Sequence, residues 1–242
     1  MGNGRSQTRA RADGTAGHDL GLRSDGTAWN SPCPRHHRGP GRNDPQQGLD
    51  AGINYIDTSI DYGLSEERIG RYISHRRAEY YLASKCGCLV GAPPAPRGQR
   101  GQHVFTRDNV VAGVEQSLVR MKTDYLDVVQ FHSSPSRQTL EEHGALEALL
   151  ELKEAGKVRF IGMSGTLPHL TDHIAMGVFD VFQIPYSAVE REHEGAIATA
   201  AQKGAGIVIR VVLQRERQPR GSRQGYNGNA GARHVSMTCW TA

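Results

Sequence analysis

Between residues 48 and 210, short runs rich in β-branched residues alternate with longer segments in which apolar residues recur at helical spacing. The strand-like runs cover residues 53–58, 80–84, 126–131, 158–162, 178–184 and 206–209. Strands that are apolar throughout are typical of a sheet covered on both faces, and helical connections make neighbouring strands parallel. The alternation therefore predicts an α/β domain with a parallel sheet and right-handed crossovers.

Helix signals fall between these runs. Ser65 is predicted to be an N-cap, because the acidic Glu66 and Glu67 follow it, and Gly156 stands where a helix-ending glycine is expected. The predicted helices cover 65–74, a segment from a Thr106 cap to 121, 140–155, 168–176 and 193–203. Six strand–helix units fit either a doubly wound sheet or a (β/α)8 barrel that lacks two units. No G-x-G-x-x-G follows the first strand, so the usual dinucleotide fingerprint of the doubly wound fold is absent.

Polar residues stand at the carboxyl ends of the predicted strands, which in a barrel meet at the active-site mouth. Asp57 and Tyr62 follow the first strand, Lys85 follows the second and His132 follows the third. A lysine ammonium lowers the pKa of a neighbouring tyrosine, and a carboxylate keeps the lysine charged and oriented. A histidine beside the tyrosine orients a carbonyl or shares the proton. The group is therefore suited to proton transfer to a carbonyl oxygen.

Five segments carry a family resemblance; in chain order they read GINYIDTSIDYGLSEERIG, YYLASK, SLVRMKTDYLDVVQFH, GKVRFIGMSG and VFQIPYS. In this order and spacing they resemble the aldo-keto reductase superfamily, over about residues 48–210. The resemblance implies a (β/α)8 TIM-barrel-like fold in which about six of the eight βα units are recognisable, so the barrel is expected to be incomplete.

The resemblance also implies an activity, the NADPH-dependent reduction of aldehydes or ketones by hydride transfer without a metal. It places the catalytic residues at Asp57, Tyr62, Lys85 and His132. Tyr62 is then the proton donor, Lys85 depresses its pKa, Asp57 holds Lys85, and His132 orients the carbonyl of a small-molecule substrate.

Three further positions match the family's cofactor site. Ser164 and Gln183 correspond to residues that hydrogen-bond the nicotinamide carboxamide, and Arg210 lies near where many members stack an aromatic ring on the nicotinamide. Gly165 departs from the pattern, because an asparagine usually follows the serine. NADPH rather than NADH is implied by the family alone, since no segment that grips the 2′-phosphate is recognisable.

The two ends differ from the middle. Residues 1–47 carry seven arginines and four aspartates, and residues 211–242 carry five arginines and one glutamate, whereas all five lysines lie between them. Neither end has an apolar period, so both are predicted to be disordered. The family's glycine-rich first strand is not recognisable before Gly48, nor are its last segments after Arg210.

These ends leave alternatives open. The chain is a working reductase, a cofactor-binding subunit without turnover, or an inactive remnant. An inactive remnant would be either a truncated paralogue or the product of a shifted reading frame. Arginine-rich ends also attract nucleic acid, but without aromatic interleaving only non-specific binding is expected. The oligomeric state is left open, although unpaired barrel strands favour association.

Cysteine usage and hydropathy bear on the compartment. Four scattered cysteines and the lack of an apolar leader or a long apolar run predict a reduced, cytoplasmic protein without a membrane span. No metal is expected: Cys86-Gly87-Cys88 has no second pair at zinc-finger spacing, and His169 and His173 fit a solvated helix face.

Overall fold

The computed structural model describes residues 45–92 and 101–210, together with the backbone of 236–238. The helices are α1 (Pro45–Asp50), α2 (Ser65–Tyr72), α3 (Arg107–Met121), α4 (Arg137–Glu142), α5 (Ala145–Glu154), α6 (Leu170–Met176) and α7 (Glu194–Gln202), with a 3-10 helix at Ser74–Glu79. The strands are β1 (Tyr55–Asp57), β2 (Tyr81–Cys86), β3 (Leu126–Phe131), β4 (Val158–Ser164), β5 (Val181–Pro185), β6 (Gly206–Arg210) and β7 (Ser236–Thr238).

The strands form one sheet in the order β6-β5-β4-β3-β2-β1-β7. Strands β1 to β6 are parallel, and each pairs with the next along the chain, as in a (β/α)8 barrel. The sheet curls as part of such a barrel, with six of its parallel strands present in the described part of the chain. The predicted incomplete barrel is therefore confirmed. Strand β7 pairs with β1 in the antiparallel direction, unlike the strands of a complete barrel.

Two apolar clusters cover the two faces of the sheet. The larger cluster joins the outer face to the helices, with Ile56, Leu82 and Phe131 packed against helix residues such as Val114. The smaller cluster contains strand residues only and covers the opposite face, which we call the inner face. Its buried members are Tyr55, Ala83, Val128, Val181 and Val208. Burial on both faces explains the continuous apolar runs of the strands.

Helix α3 begins as the sequence predicts. The side chain of Thr106 accepts a hydrogen bond from the backbone amide of Asn109, at 3.4 Å, and so satisfies an amide that has no partner within the helix. Val110, Val114 and Met121 lie on the apolar face and are buried. The cap and the periodic apolar face together fix where this helix lies against the sheet.

Three helix predictions are wrong in detail. Ser65 is not an N-cap, because Leu64 occupies that position and the buried Ser65 hydroxyl accepts a hydrogen bond from Thr58 at 2.8 Å. The single helix predicted over 140–155 is two helices, α4 and α5, which are separated at Gly144 by a left-handed φ of 68°. Pro168 lies two residues before α6, not in its first turn.

The expected disorder of 1–47 and 211–242 concerns residues that lie almost entirely outside the described part of the chain. Two short segments are exceptions: residues 45–47 open α1, and residues 236–238 form β7. Among the described helices, none is both long enough and apolar enough to cross a membrane.

Candidate active site

The polar residues of the candidate site follow from the two-residue period of the strands. Side chains two positions apart in a strand lie on the same face of a sheet. Each buried apolar residue of the inner face is followed, two positions later, by a polar residue on the same face. These polar residues are Asp57, Lys85, Gln130, Gln183 and Arg210, and β4 contributes Ser164 to the same face. The strand register pairs Lys85 with Gln130 and Ser164 with Gln183, and all six residues lie toward the carboxyl ends of their strands. The barrel thus has an apolar inner layer and, above it, a polar layer.

The centre of this polar layer is a buried ion pair. The Lys85 ammonium lies 2.6 Å from Oδ2 of Asp57 and donates a second hydrogen bond, of 2.8 Å, to the Thr58 carbonyl. The Gln130 amide donates to the other carboxylate oxygen of Asp57 at 3.1 Å. Both charged groups are therefore hydrogen-bonded as well as paired, as buried charges require.

Tyr62 lies above this pair, in the loop that follows β1. The Lys85 nitrogen is 5.0 Å from the centre of the Tyr62 ring. A turn holds the loop, because the Tyr62 amide donates to the Ser59 carbonyl at 3.1 Å. Burial raises the pKa of Tyr62 above its ordinary value of 10.0, and the positive charge of Lys85 opposes that rise. At neutral pH Tyr62 is therefore a neutral phenol that holds a proton.

His132 directly follows β3 and faces the tyrosine. Its amide donates to the Cys86 carbonyl at 3.1 Å, and its ring meets the Tyr62 ring edge-on, with centres 6.1 Å apart. Burial, together with the positive charge of Lys85, lowers the pKa of His132 to about 3. The imidazole is therefore neutral at neutral pH, with one ring nitrogen able to donate and the other able to accept.

The three predicted cofactor residues lie on β4, β5 and β6, at the same edge of the sheet. The hydroxyl of the buried Ser164 donates to Oε1 of the buried Gln183 at 3.1 Å. Arg210 ends β6 two positions after the inner-face residue Val208, so it lies on the same face of the sheet as Ser164 and Gln183. A hydroxyl and a carboxamide held side by side offer the donor and acceptor groups that another carboxamide needs.

The structure adds supporting residues that the sequence analysis did not assign. Gln130 interrupts an apolar strand, and this interruption is the sequence signal for its contact with Asp57. Glu66, whose charge suits the N-terminus of α2, is buried. It accepts hydrogen bonds from Ser84 at 2.8 Å and from Ser117 at 2.7 Å. Glu66 therefore ties α2 to β2 and α3.

Two other interpretations change. His173 is fully buried, with Nε2 2.7 Å from the Pro135 carbonyl oxygen, so it and His169 do not form a solvated pair. Cys86 belongs to the apolar core, whereas Cys88 lies beside His132, so the two thiols have different surroundings. The spacing of the cysteines in the sequence did not reveal this.

Comparison with known proteins agrees with the geometry. A model described as the Aldo/keto reductase family matches residues 46–237. The aldo-keto reductase YhdN of Bacillus subtilis is 35% identical over 159 residues, which cover 64% of this chain and 46% of YhdN. The oxidoreductase YqkF of the same organism is 29% identical over 171 residues, covering 68% of this chain and 53% of YqkF. The chain thus spans about half the length of the curated relatives it matches.

Solved structures support the same relationship. The holo form of the aldo-keto reductase AKR11C1 from Bacillus halodurans superposes with a TM-score of 0.60 at 26% identity, covering 69% of this chain and 55% of that one. A likeness at this level in both sequence and backbone indicates common descent and not only a shared barrel.

Proposed function

The chain belongs to the aldo/keto reductase family, and on this premise we propose that it is an NADPH-dependent oxidoreductase that reduces the carbonyl group of a small aldehyde or ketone. Tyr62 is the proton donor in this proposal. The observation that carries it is the buried Lys85–Asp57 pair beneath the Tyr62 ring, since that pair places a fixed positive charge 5.0 Å from the ring centre.

The proton transfer follows from the charges around Tyr62. When bound, the nicotinamide supplies a hydride to the carbonyl carbon. The carbon–oxygen π pair moves to the oxygen, which takes the Tyr62 proton and becomes an alcohol. The Lys85 ammonium stabilises the phenolate that is left, and Asp57 keeps Lys85 charged and in place. Solvent then returns a proton to Tyr62.

His132 has a positioning role in this scheme. Its imidazole is neutral, so it donates one N–H to the carbonyl oxygen without competing with Tyr62 as a strong acid. Its ring meets the Tyr62 ring edge-on, with centres 6.1 Å apart, which supports a role for both side chains at one carbonyl oxygen. The carbonyl is then held by two donors while the hydride arrives at its carbon.

Ser164 and Gln183 are proposed to bind the carboxamide of the nicotinamide. Their mutual hydrogen bond of 3.1 Å fixes both side chains before the cofactor arrives, which lowers the entropy cost of binding. Arg210 is proposed to lie along the nicotinamide ring, where its planar guanidinium is able to stack. The choice of NADPH and the small carbonyl substrate are predictions from the family, and the cytoplasmic location is a prediction from cysteine usage.

A second candidate is a subunit that binds the cofactor without turnover. One observation favours it: β1 pairs with the antiparallel β7. An antiparallel strand beside β1 departs from the barrel in which this site works. The third alternative, an inactive remnant, would bind no cofactor, whereas this subunit would bind it.

One experiment separates these alternatives. NADPH oxidation is followed with a generic aldehyde, and NADPH binding is followed separately by fluorescence, for the full chain and for Tyr62→Phe. We expect turnover to fall by about 10²-fold or more in Tyr62→Phe while NADPH binding is retained. Tyr72→Phe, at a 40% exposed tyrosine on α2, is the matched control and keeps full turnover.

Other results support the alternatives. Binding of NADPH without turnover by the unaltered chain supports the subunit, and absence of binding supports the remnant. Equal turnover by the unaltered chain and by Tyr62→Phe would show that Tyr62 is not the proton donor.

A further inference from the structure

Four potential metal ligands meet at the edge of the proposed active site, with which they share His132. They are a carboxylate oxygen of Asp61, the sulfur of Cys88, and one ring nitrogen each of His103 and His132, and these atoms all lie within 4.8 Å of one another. They come from three separate parts of the chain: the loop after β1, the segments that follow β2, and the end of β3. Only the fold brings them together.

The distances fit a tetrahedral ion. The sulfur of Cys88 lies 3.2 Å from Nδ1 of His132 and 3.6 Å from Nε2 of His103. Nδ1 of His132 lies 3.9 Å from Oδ1 of Asp61. Metal–ligand bonds of about 2.0–2.3 Å in a tetrahedron place neighbouring ligand atoms about 3.3–3.7 Å apart. Small side-chain rotations, chiefly of Asp61 at the exposed end, therefore complete the coordination shell.

The backbone holds two of these ligands in place. Cys88 and His103 face each other across an antiparallel bridge, in which the Leu89 amide donates to the Gln102 carbonyl at 2.9 Å and the Val104 amide donates to the Gly87 carbonyl at 2.7 Å. A substituent on Gly87 would lie 2.4 Å from the Phe105 ring, so only glycine fits this position, whose φ is +91°.

Hydrogen bonds also position the other two ligands. The Ser59 hydroxyl donates to Oδ1 of Asp61 at 2.5 Å, and the His132 amide is bonded to the Cys86 carbonyl. Side-chain partners of this kind orient metal ligands and set their basicity. The four ligands are thus held largely in place before an ion arrives.

The chemistry of the ligands selects the type of ion. One sulfur, two imidazole nitrogens and one carboxylate oxygen suit Zn²⁺ and its neighbours in the transition series, whereas Mg²⁺ and Ca²⁺ prefer oxygen ligands. A thiolate and a carboxylate together balance a divalent charge. The nearby Lys85 is already paired with Asp57, so the site does not have to neutralise that ammonium.

We propose that Asp61, Cys88, His103 and His132 form a four-coordinate site for a Zn²⁺-type cation, a binding property that goes beyond the reductase activity. On binding, the Cys88 sulfur forms a bond to the metal and its proton passes to solvent, so no electron is transferred. Four protein ligands leave no open position, and the ion therefore takes no substrate. Coordination through Nδ1 leaves the Nε2–H group of His132 available as a hydrogen-bond donor.

The probe is Co²⁺, added to the metal-free full chain in the absence of cofactor. A tetrahedral Co²⁺ site gives strong visible bands, and a bound thiolate adds a charge-transfer band in the near ultraviolet. We expect saturation at one Co²⁺ per chain and displacement by Zn²⁺. Cys88→Ser should lose the charge-transfer band, and His103→Ala should weaken Co²⁺ binding at least about tenfold.

Matched controls use residues outside the cluster. Cys86→Ser changes a thiol two residues away, and His143→Ala changes an exposed histidine, so both should bind Co²⁺ like the unaltered chain. The far-ultraviolet circular dichroism of each variant shows whether it is folded. If Cys88→Ser fails to fold, the half-buried His103 supplies a second, milder variant, His103→Gln.

The proposal is overturned if the unaltered chain shows no tetrahedral Co²⁺ spectrum, or if Cys88→Ser keeps the charge-transfer band. Because no cofactor is present, this outcome is independent of reductase activity. A chain that binds Co²⁺ but does not oxidise NADPH supports the metal site and contradicts the proposed function. A chain that oxidises NADPH but does not bind Co²⁺ supports the proposed function and contradicts the metal site.

Discussion

The Lys85 ammonium and the Asp57 carboxylate are 2.6 Å apart, and their side chains are only 1% and 5% exposed. Removing two charges from water costs several kcal/mol for each ion, and this cost is offset only when geometry and further hydrogen bonds are good. Thr58 and Gln130 supply those further bonds. The pair therefore depends on both partners, and losing one leaves the other as an uncompensated buried charge.

Asp57→Asn should destabilise the protein strongly. Lys85 would lose its counter-ion at a position where its side chain is buried, and breaking a buried pair from one side costs about 3–5 kcal/mol. The free energy of unfolding, measured by urea denaturation, checks this. Asp50→Asn removes an exposed carboxylate that lies 2.6 Å from Arg76, and it should cost about 1 kcal/mol or less. Equal losses in the two variants would contradict the importance of burial.

Gln183→Ala should weaken cofactor binding more than it slows the chemical step. The variant removes the carboxamide that pairs with Ser164, and one hydrogen bond is worth about 0.5–1.5 kcal/mol, or up to about tenfold in affinity. We expect a higher KM for NADPH with a smaller change in kcat. Gln202→Ala, at an exposed glutamine of α7, is the control. An unchanged KM in Gln183→Ala would remove this residue from the cofactor site.

Glu66 should make stability depend on pH. Burial raises the pKa of Glu66 above its ordinary value of 4.5, although hydrogen bonds from Ser117, Ser84 and Arg120 oppose the rise. The folded state then holds this proton more tightly than the unfolded chain. The resulting stabilisation is complete below about pH 4.5 and is lost as the pH rises through the folded-state pKa.

Glu66→Gln removes this titration. The free energy of unfolding of the unaltered protein, relative to Glu66→Gln, should therefore fall as the pH rises from 4.5 toward 7, with a slope of at most about 1.4 kcal/mol per pH unit. Urea denaturation at several pH values measures it. Glu67→Gln is the matched control for the loss of a charge beside Arg120, since Glu67 is a more exposed carboxylate that contacts Arg120 at 3.2 Å. A rising difference would contradict the direction of the pKa shift.

Gly70→Ala should destabilise the contact between α2 and α3. A methyl group on Gly70 would lie 2.0 Å from the Arg120 carbonyl oxygen, so a backbone has to move, at a cost of about 2–3 kcal/mol. Gly195→Ala, in α7, meets nothing within 4 Å and should stabilise the protein by up to about 1 kcal/mol. Thermal unfolding of the two variants should therefore shift in opposite directions.

Much of the fold follows from local signals. The strand-like runs found all six parallel strands, because strands buried on both faces are apolar without interruption. Thr106 marked the start of α3, since a cap needs only its own helix. The sequence did not predict the break between α4 and α5, because the apolar period continues through Gly144. The left-handed φ of 68° at Gly144 nevertheless ends the helical backbone there. The environment of Ser65 was also missed, since its partner Thr58 lies in another segment.

The sequence by itself determined the order of the strands and helices, the family resemblance and the identity of the polar residues at the strand ends. These depend on period, composition and motif, which are properties of neighbours along the chain. Only the tertiary structure decided that Gln130 supports Asp57, that Glu66 is buried, and that Asp61, Cys88, His103 and His132 converge. Such relations depend on the curl of the sheet and on strand register, which join residues far apart in the chain and leave no periodic signal in it.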